Sequence, residues 1–377
     1  MTEKTVQFGL VGCGLMGREF AGAAARWGQL AGDIARPVLA AVCSPRAESR
    51  AWFRKRVPTV TADFADYREL LAHPGLEAVY IAVPHHLHET AYVAAIEAGK
   101  DLLGEKPFGV DLAANQAILG ALRRNPGVFA RCASEFPFFP AMQQAWRWMR
   151  EGRLGTVLGV RAGFRHAGDL DLEKPVSWKR QVATNGRYGC LGDLGIHTHH
   201  VPLRMGWTPS EVYASFQKFV DRRPDGRGGT AVCDTWDNAL LLCDVPCRAG
   251  TFPMTLETSR MSPGDTNTWY FEANGLEGSV RFSTARPGIF SYTLPWGREQ
   301  AWADVQLGHK PLFPTVTGGI FEFGFTDAIL QMWAAFMAER EGRDVAFGCV
   351  TPAETALSHR LCTAALKSAE TRRAEKV

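Results

Sequence analysis

Several features are missing from this chain of 377 residues, and each absence removes a class of protein. No stretch of about 18 uncharged apolar residues occurs, which argues against a membrane-spanning helix. No two of the nine cysteines (Cys13, Cys43, Cys132, Cys190, Cys233, Cys243, Cys247, Cys349 and Cys362) have the two-residue gap of a zinc knuckle or a redox motif, and their number is odd. The opening Met-Thr-Glu-Lys lacks a charged-then-apolar leader pattern. Together these predict a reduced, cytoplasmic protein without a structural metal. No block of like charge exists, and the net charge is only +3, so neither nucleic acid nor an acidic membrane is an expected partner. Repeats, low-complexity tracts and a Pro- or Ser-rich linker are also missing.

What remains is ordinary globular text, 46% hydrophobic and 21% charged, long enough for two domains. The first third alternates strand-like and helix-like runs. Val6–Val11, Val38–Cys43, Leu76–Val83, Leu102–Leu103 and Val128–Ala133 read as strands. Between them, 18–27, 48–56 and 89–98 read as helices. This order predicts a parallel, doubly wound sheet. The pattern changes near Glu135. After a helix over 141–150 and a strand over 157–164, the text from 211 to 283 is mostly strand-like, with turns at Pro224-Asp225-Gly226, Pro263-Gly264-Asp265 and Asn274-Gly275. Strands without intervening helices predict an antiparallel sheet. Helices return at 325–340 and 352–369. The expectation is an α/β domain over 1–134 and an α+β domain over 135–377, with the final helices free to pack back on the first.

Gly12-Cys13-Gly14-Leu15-Met16-Gly17 has the spacing G-x-G-x-x-G, follows an apolar strand and opens a helix. In a Rossmann fold, Gly12 permits the tight turn, Gly14 admits the cofactor's pyrophosphate and Gly17 lets the helix pack on the strand. The helix N-terminus then supplies free N–H groups to the phosphates. The second strand ends in Cys43-Ser44-Pro45-Arg46, without the acid that binds the ribose diol of NAD. Ser44 and Arg46 suit a 2′-phosphate, which tilts the expectation towards NADP and leaves NAD open.

Two further segments carry chemistry. Gly104-Glu105-Lys106-Pro107 directly follows a predicted strand. In the segment 189–197, Asp193 and His197 stand four residues apart, on one face of a helix. A lysine and a His/Asp pair suit proton transfer at a carbinol oxygen while hydride moves to nicotinamide. With the run Ile81-Ala82-Val83-Pro84-His85-His86-Leu87-His88, the turn Ala98-Gly99-Lys100 and the later Glu257-Thr258-Ser259-Arg260 and Gly275–Ser279, the chain resembles the glucose–fructose oxidoreductase / inositol dehydrogenase / MocA family over nearly its whole length.

The resemblance implies a Rossmann domain followed by a large, open, mainly antiparallel sheet that forms homodimer or homotetramer contacts. It implies that Lys106 lies near substrate and nicotinamide with Glu105 in support, that His197 is the general acid/base and that Asp193 orients it or meets substrate hydroxyls. Pro84, His85 and His88, with Leu15 and Met16, are expected along the cofactor. Arg165, His166, Trp178, Lys179 and Arg180 fall where the family lines its substrate pocket, and their charge suits an anionic substituent. The family commonly has Asn where His85 stands, and Asp where His200 stands. The His197, His199 and His200 cluster does not face one way on a helix, so no metal is expected. The implied reaction is NAD(P)-dependent oxidation of a secondary alcohol on a sugar-like substrate. The alternative is a glycoside hydrolase cycling a tightly bound NAD through oxidation, elimination, hydration and reduction. A non-catalytic sugar sensor is a third reading, against which the Lys106 and His197 pair speaks.

Overall fold

The computed structural model describes residues 4–295, 299–307, 310–319 and 321–377. Residues 1–3, read above for a leader pattern, lie outside them. The chain divides into two compact units. One comprises residues 1–138 and 310–355, the other 139–309 and 356–377.

The first unit is built on strands β1 (Thr5–Val11), β2 (Arg36–Cys43), β3 (Ala62–Phe64), β4 (Ala78–Ile81), β5 (Asp101–Gly104) and β6 (Ala130–Cys132). They pair in parallel in the order β3-β2-β1-β4-β5-β6. That is the Rossmann order, with the crevice at the β1/β4 switch. Every residue of β4 is buried, as a strand covered on both faces requires. Helices α1 (Leu15–Ala25), α2 (Ala47–Arg56), α3 (Tyr67–Leu71), α4 (His88–Glu97) and α5 (Leu112–Arg124) lie between the strands in sequence. The first begins three residues earlier than its apolar pattern indicates, because it starts directly after Gly14. The fifth has no counterpart in the sequence reading. It is capped by Asp111, whose carboxylate accepts the Ala114 N–H at 2.9 Å.

Among the described residues the second unit is carried by a sheet of nine strands. They include β7 (Val157–Arg165), β8 (Glu211–Gln217), β11 (Asn238–Cys247), β12 (Gly250–Ser259), β13 (Thr268–Gly275), β14 (Ser279–Ser283), β15 (Ile289–Thr293), β16 (Ala303–Gln306) and β17 (Glu375–Lys376). A separate hairpin pairs β9 (Arg222–Pro224) with β10 (Thr230–Val232). The large sheet runs β16-β15-β14-β13-β7-β12-β11-β8-β17, antiparallel at every step except the parallel pair β7–β12. β11 alternates buried and exposed residues, so one face is covered and the other leaves Leu240, Leu242 and Tyr213 open. Helices α6 (Pro140–Arg150), α7 (Val182–Asn185) and α8 (Cys190–Arg204) belong to this unit, and α8 packs on β7 and β12.

Two long helices close the chain, α9 (Phe325–Arg340) and α10 (Pro352–Thr371). The first belongs to the Rossmann unit. Its Trp333 stacks on Phe20 of α1, centroids 4.0 Å apart, and meets Phe8 and Tyr80 edge-on. This buried aromatic cluster binds the returning segment to the sheet.

Candidate active site

In the first unit the glycine turn has the shape its spacing predicts. Gly12 has φ +104°, and a Cβ there would stand 2.2 Å from the Ala82 carbonyl oxygen. At Gly17 a Cβ would press on the Gly12 carbonyl oxygen and Leu10 at 2.6 and 2.9 Å. At Gly14 it would meet nothing within 4 Å. The two outer glycines are required by the protein's own packing, whereas the space above Gly14 belongs to something else. The α1 N-terminus carries no side-chain cap and no acid in its first turn, so its N–H groups and dipole await an anion. These observations fit a dinucleotide. Gly12, Gly14, Leu15 and Met16 would hold the pyrophosphate there.

At the end of β2, Ser44 is buried and its Oγ accepts the Arg46 N–H at 3.3 Å. Arg46, exposed, is the residue directly before α2. Arg50, which the sequence reading missed, donates to the Ser44 carbonyl at 2.6 Å and to Asp63 at 2.8 Å. The nearby acid is thus tied to an arginine. Cys13 is buried, and desolvation pushes its thiol up to about 12, so it is inert.

Beyond β4 and β5 the chain is braced from below. The Tyr80 hydroxyl donates to Glu105 Oε1 and the Tyr92 hydroxyl to the Glu105 carbonyl, both at 2.6 Å. Glu105 Oε2 accepts the Lys106 N–H at 3.3 Å. The Lys106–Pro107 bond is cis. His88 is fully buried, with its ring nitrogens 2.6 Å from the Pro107 carbonyl and 2.9 Å from the Val83 carbonyl. Burial pushes its pKa down to about 4, against the pull of the two carbonyls, and a neutral ring, with one N–H, donates to only one of them. Glu135, also unforeseen, is a buried carboxyl pushed up to about 7, first by desolvation and then by the charge of Glu105.

The second unit holds its residues on α8. Gly189 precedes that helix at φ +59°, where a Cβ would stand 2.6 Å from the Trp236 nitrogen. Asp193 and His197 are 1% and 2% exposed. Lys179 Nζ reaches both Asp193 oxygens at 3.0 Å, and Arg260 Nη2 approaches Oδ2 at 3.3 Å. His197 packs edge-on against Phe164, and its carbonyl accepts the Trp269 indole N–H at 2.8 Å. Burial pushes His166 down to about 4, against the pull of Asp193. His166 Nδ1 accepts the Gly168 N–H at 3.1 Å, which leaves the ring proton on Nε2, a donor. Lys179 lies 5.6 Å from the Trp178 ring centre.

The neighbouring cations have partners. Arg180 is 1% exposed and pairs with Asp237, and Arg165 pairs with Asp265 at 3.2 Å. His199 Nδ1 lies 2.8 Å from Ser358 Oγ, and among the described residues no three His, Cys, Asp or Glu side chains are grouped to hold a metal ion. Arg260 and Asp237 were not foreseen as site residues. Their one signal is a charge directly before β11 or directly after β12.

The family models agree with this geometry. Residues 6–131 match the model described as an oxidoreductase family with an NAD-binding Rossmann fold, and residues 142–281 match the GFO/IDH/MocA C-terminal domain. The chain belongs to the Gfo/Idh/MocA family of oxidoreductases. Among its relatives in that family is D-apiose dehydrogenase of Paraburkholderia graminis, 29% identical over 360 residues, which covers 91% of this chain and 90% of that protein. Levoglucosan dehydrogenase of Pseudarthrobacter phenanthrenivorans is 26% identical over 273 residues, 69% and 67% of the two chains. A levoglucosan dehydrogenase solved with NADH and levoglucosan superposes with a TM-score of 0.88 over 99% of this chain and 100% of that one, at 24% identity, which bears on the fold alone.

Proposed function

We propose that this Gfo/Idh/MocA protein oxidises a secondary alcohol of a sugar, cyclitol or sugar derivative with a nicotinamide cofactor. The observation that carries the reading is the buried Asp193–His197 face of α8, with Asp193 held between Lys179 and Arg260. The sugar dehydrogenases among the relatives support it. The bound nicotinamide supplies the hydride acceptor. His197 takes the hydroxyl proton, because an imidazole titrates near neutral pH. Lys106 supplies positive charge for the oxygen as it becomes an alkoxide. The ion pairs of Asp193 with Lys179 and Arg260 give its buried carboxylate counter-charge. His166 offers an Nε2–H donor suited to a second hydroxyl. Since Arg165, Lys179 and Arg180 each have a carboxylate partner, the substrate this charge pattern favours is neutral rather than anionic. Ser44 and an exposed Arg46 at the start of α2 favour NADP over NAD.

The test is a panel of neutral sugars and cyclitols with NAD+ and with NADP+, read at the reduced-nicotinamide absorbance. Stoichiometric reduction with one class of polyol is expected. His197→Ala and Lys106→Ala should each lower turnover by about 10²–10⁴-fold while dinucleotide affinity stays unchanged. Cleavage of a glycoside without net reduction would point to the hydrolytic cycle instead, and near-wild-type turnover in both variants would remove them from the mechanism.

A further inference from the structure

A second concavity lies in the first unit, at the other end of β2 from the dinucleotide turn. It is a groove of about 320 Å³ between the C-terminal halves of α1 and α2, floored by residues 36–39. The Gly12 N–H bonds to the carbonyl of Cys43, the last residue of β2, whereas the groove sits over that strand's first half. Small residues make the space: α1 reads Ala21-Gly22-Ala23-Ala24-Ala25, and a Cβ on Gly22 would meet nothing within 4 Å. The volume is at the lower end of the range typical of small-molecule sites, about 300–1,000 Å³.

The walls are largely apolar, but three guanidinium groups line them, from Arg18, Arg36 and Arg56, and no carboxylate does among the described residues. Arg18 and Arg56 lie over the same Trp52 ring, 4.7 and 5.1 Å from its centre, and neither makes an ion pair among the described residues. This is the reverse of the second unit, where Arg165, Arg180 and Arg260 each meet an aspartate. Like charges gathered on one indole repel unless an anion joins them, and a guanidinium binds carboxylate or sulfonate through paired N–H donors. An apolar floor with an aromatic wall adds burial for a hydrophobic body. We propose that this groove is a binding site for a small amphiphilic organic anion, an aryl or alkyl carboxylate or sulfonate, separate from the cofactor and substrate sites.

The experiment is a fluorescence titration of the full chain with 8-anilinonaphthalene-1-sulfonate, an aryl sulfonate, in saturating NAD+ and NADP+ to block the dinucleotide site. One saturable site should remain. The double variant Arg18→Gln/Arg56→Gln should weaken it at least about tenfold, a loss of about 1.4 kcal/mol. Gly22→Leu should do the same by filling the groove, and it improves helix propensity, so folding is not compromised. Complete displacement of the probe by the dinucleotides, absence of a saturable site, or unchanged affinity in both variants would overturn the proposal.

Discussion

The glycine turn of the Rossmann unit and helix α8 of the second unit are built in opposite ways. The turn works through backbone: Gly12 and Gly17 are pressed by their neighbours, Gly14 faces open space, and the uncapped start of α1 does the electrostatics. Helix α8 works through side chains. Asp193 and His197 are buried, and Lys179 and Arg260 bring counter-charge to Asp193. A backbone site needs room and tolerates little else. A side-chain site in a low-dielectric interior needs counter-charge, and the protein supplies it residue by residue.

Substitutions in each region should therefore fail differently. Gly14→Val attacks the space alone. Since the protein itself leaves that space open, the variant should fold, with a Tm within about 4 °C of the parent. Its Cβ and methyl groups would occupy the pyrophosphate's place, so NADH binding should be abolished in a fluorescence titration. A folded variant of unchanged affinity would show that this loop does not bind the dinucleotide. Arg260→Met attacks counter-charge instead. It takes one of the two cations from Asp193 and removes donors from the Lys179 carbonyl at 2.7 Å and the Gly189 carbonyl at 3.4 Å. Removing one partner of a buried pair costs about 3–5 kcal/mol, so denaturant unfolding should show a loss in that range. A loss below about 1 kcal/mol would mean that the arginine is not what holds Asp193.

This difference also explains what was legible in the sequence. Backbone requirements are written locally, so G-x-G-x-x-G after an apolar strand located the turn, and strand–helix alternation located the parallel sheet. Asp193 and His197 were legible because a helix places i and i+4 together. Their supports were not. Lys179 and Arg260 are 81 residues apart in sequence and converge on Asp193 only through tertiary structure. Arg165, Lys179 and Arg180 looked like an anion site because sequence shows a cluster of cations without showing Asp265, Asp193 and Asp237 beside them. Helix α5 escaped notice because its apolar stripe is short and its start is set by the Asp111 cap.

The last prediction sharpens the contrast through buried charge in the first unit. Unlike Asp193, Glu135 lacks a dominant cation. Desolvation leads, Glu105 adds to it, and Lys106 offsets them weakly, leaving its carboxyl at about 7. The folded state therefore holds this proton where the unfolded chain, near the ordinary carboxyl value of 4.5, has released it. As pH rises from about 4.5 to about 7 the native state binds more protons than the unfolded one, so stability falls across that window and the loss is complete above it. One pKa unit corresponds to about 1.4 kcal/mol, which puts the whole loss at roughly 3–4 kcal/mol. Glu135→Gln is neutral at every pH and should lose that slope. Its stability relative to the parent should rise through the window, giving a variant more stable than the parent by about that amount above pH 7. Deleting the buried charge of the first unit thus stabilises, whereas deleting a counter-charge in the second destabilises. Denaturant unfolding of both proteins at pH 5, 6, 7 and 8 measures the difference, and a difference independent of pH would show that Glu135 is ionised like an ordinary carboxylate.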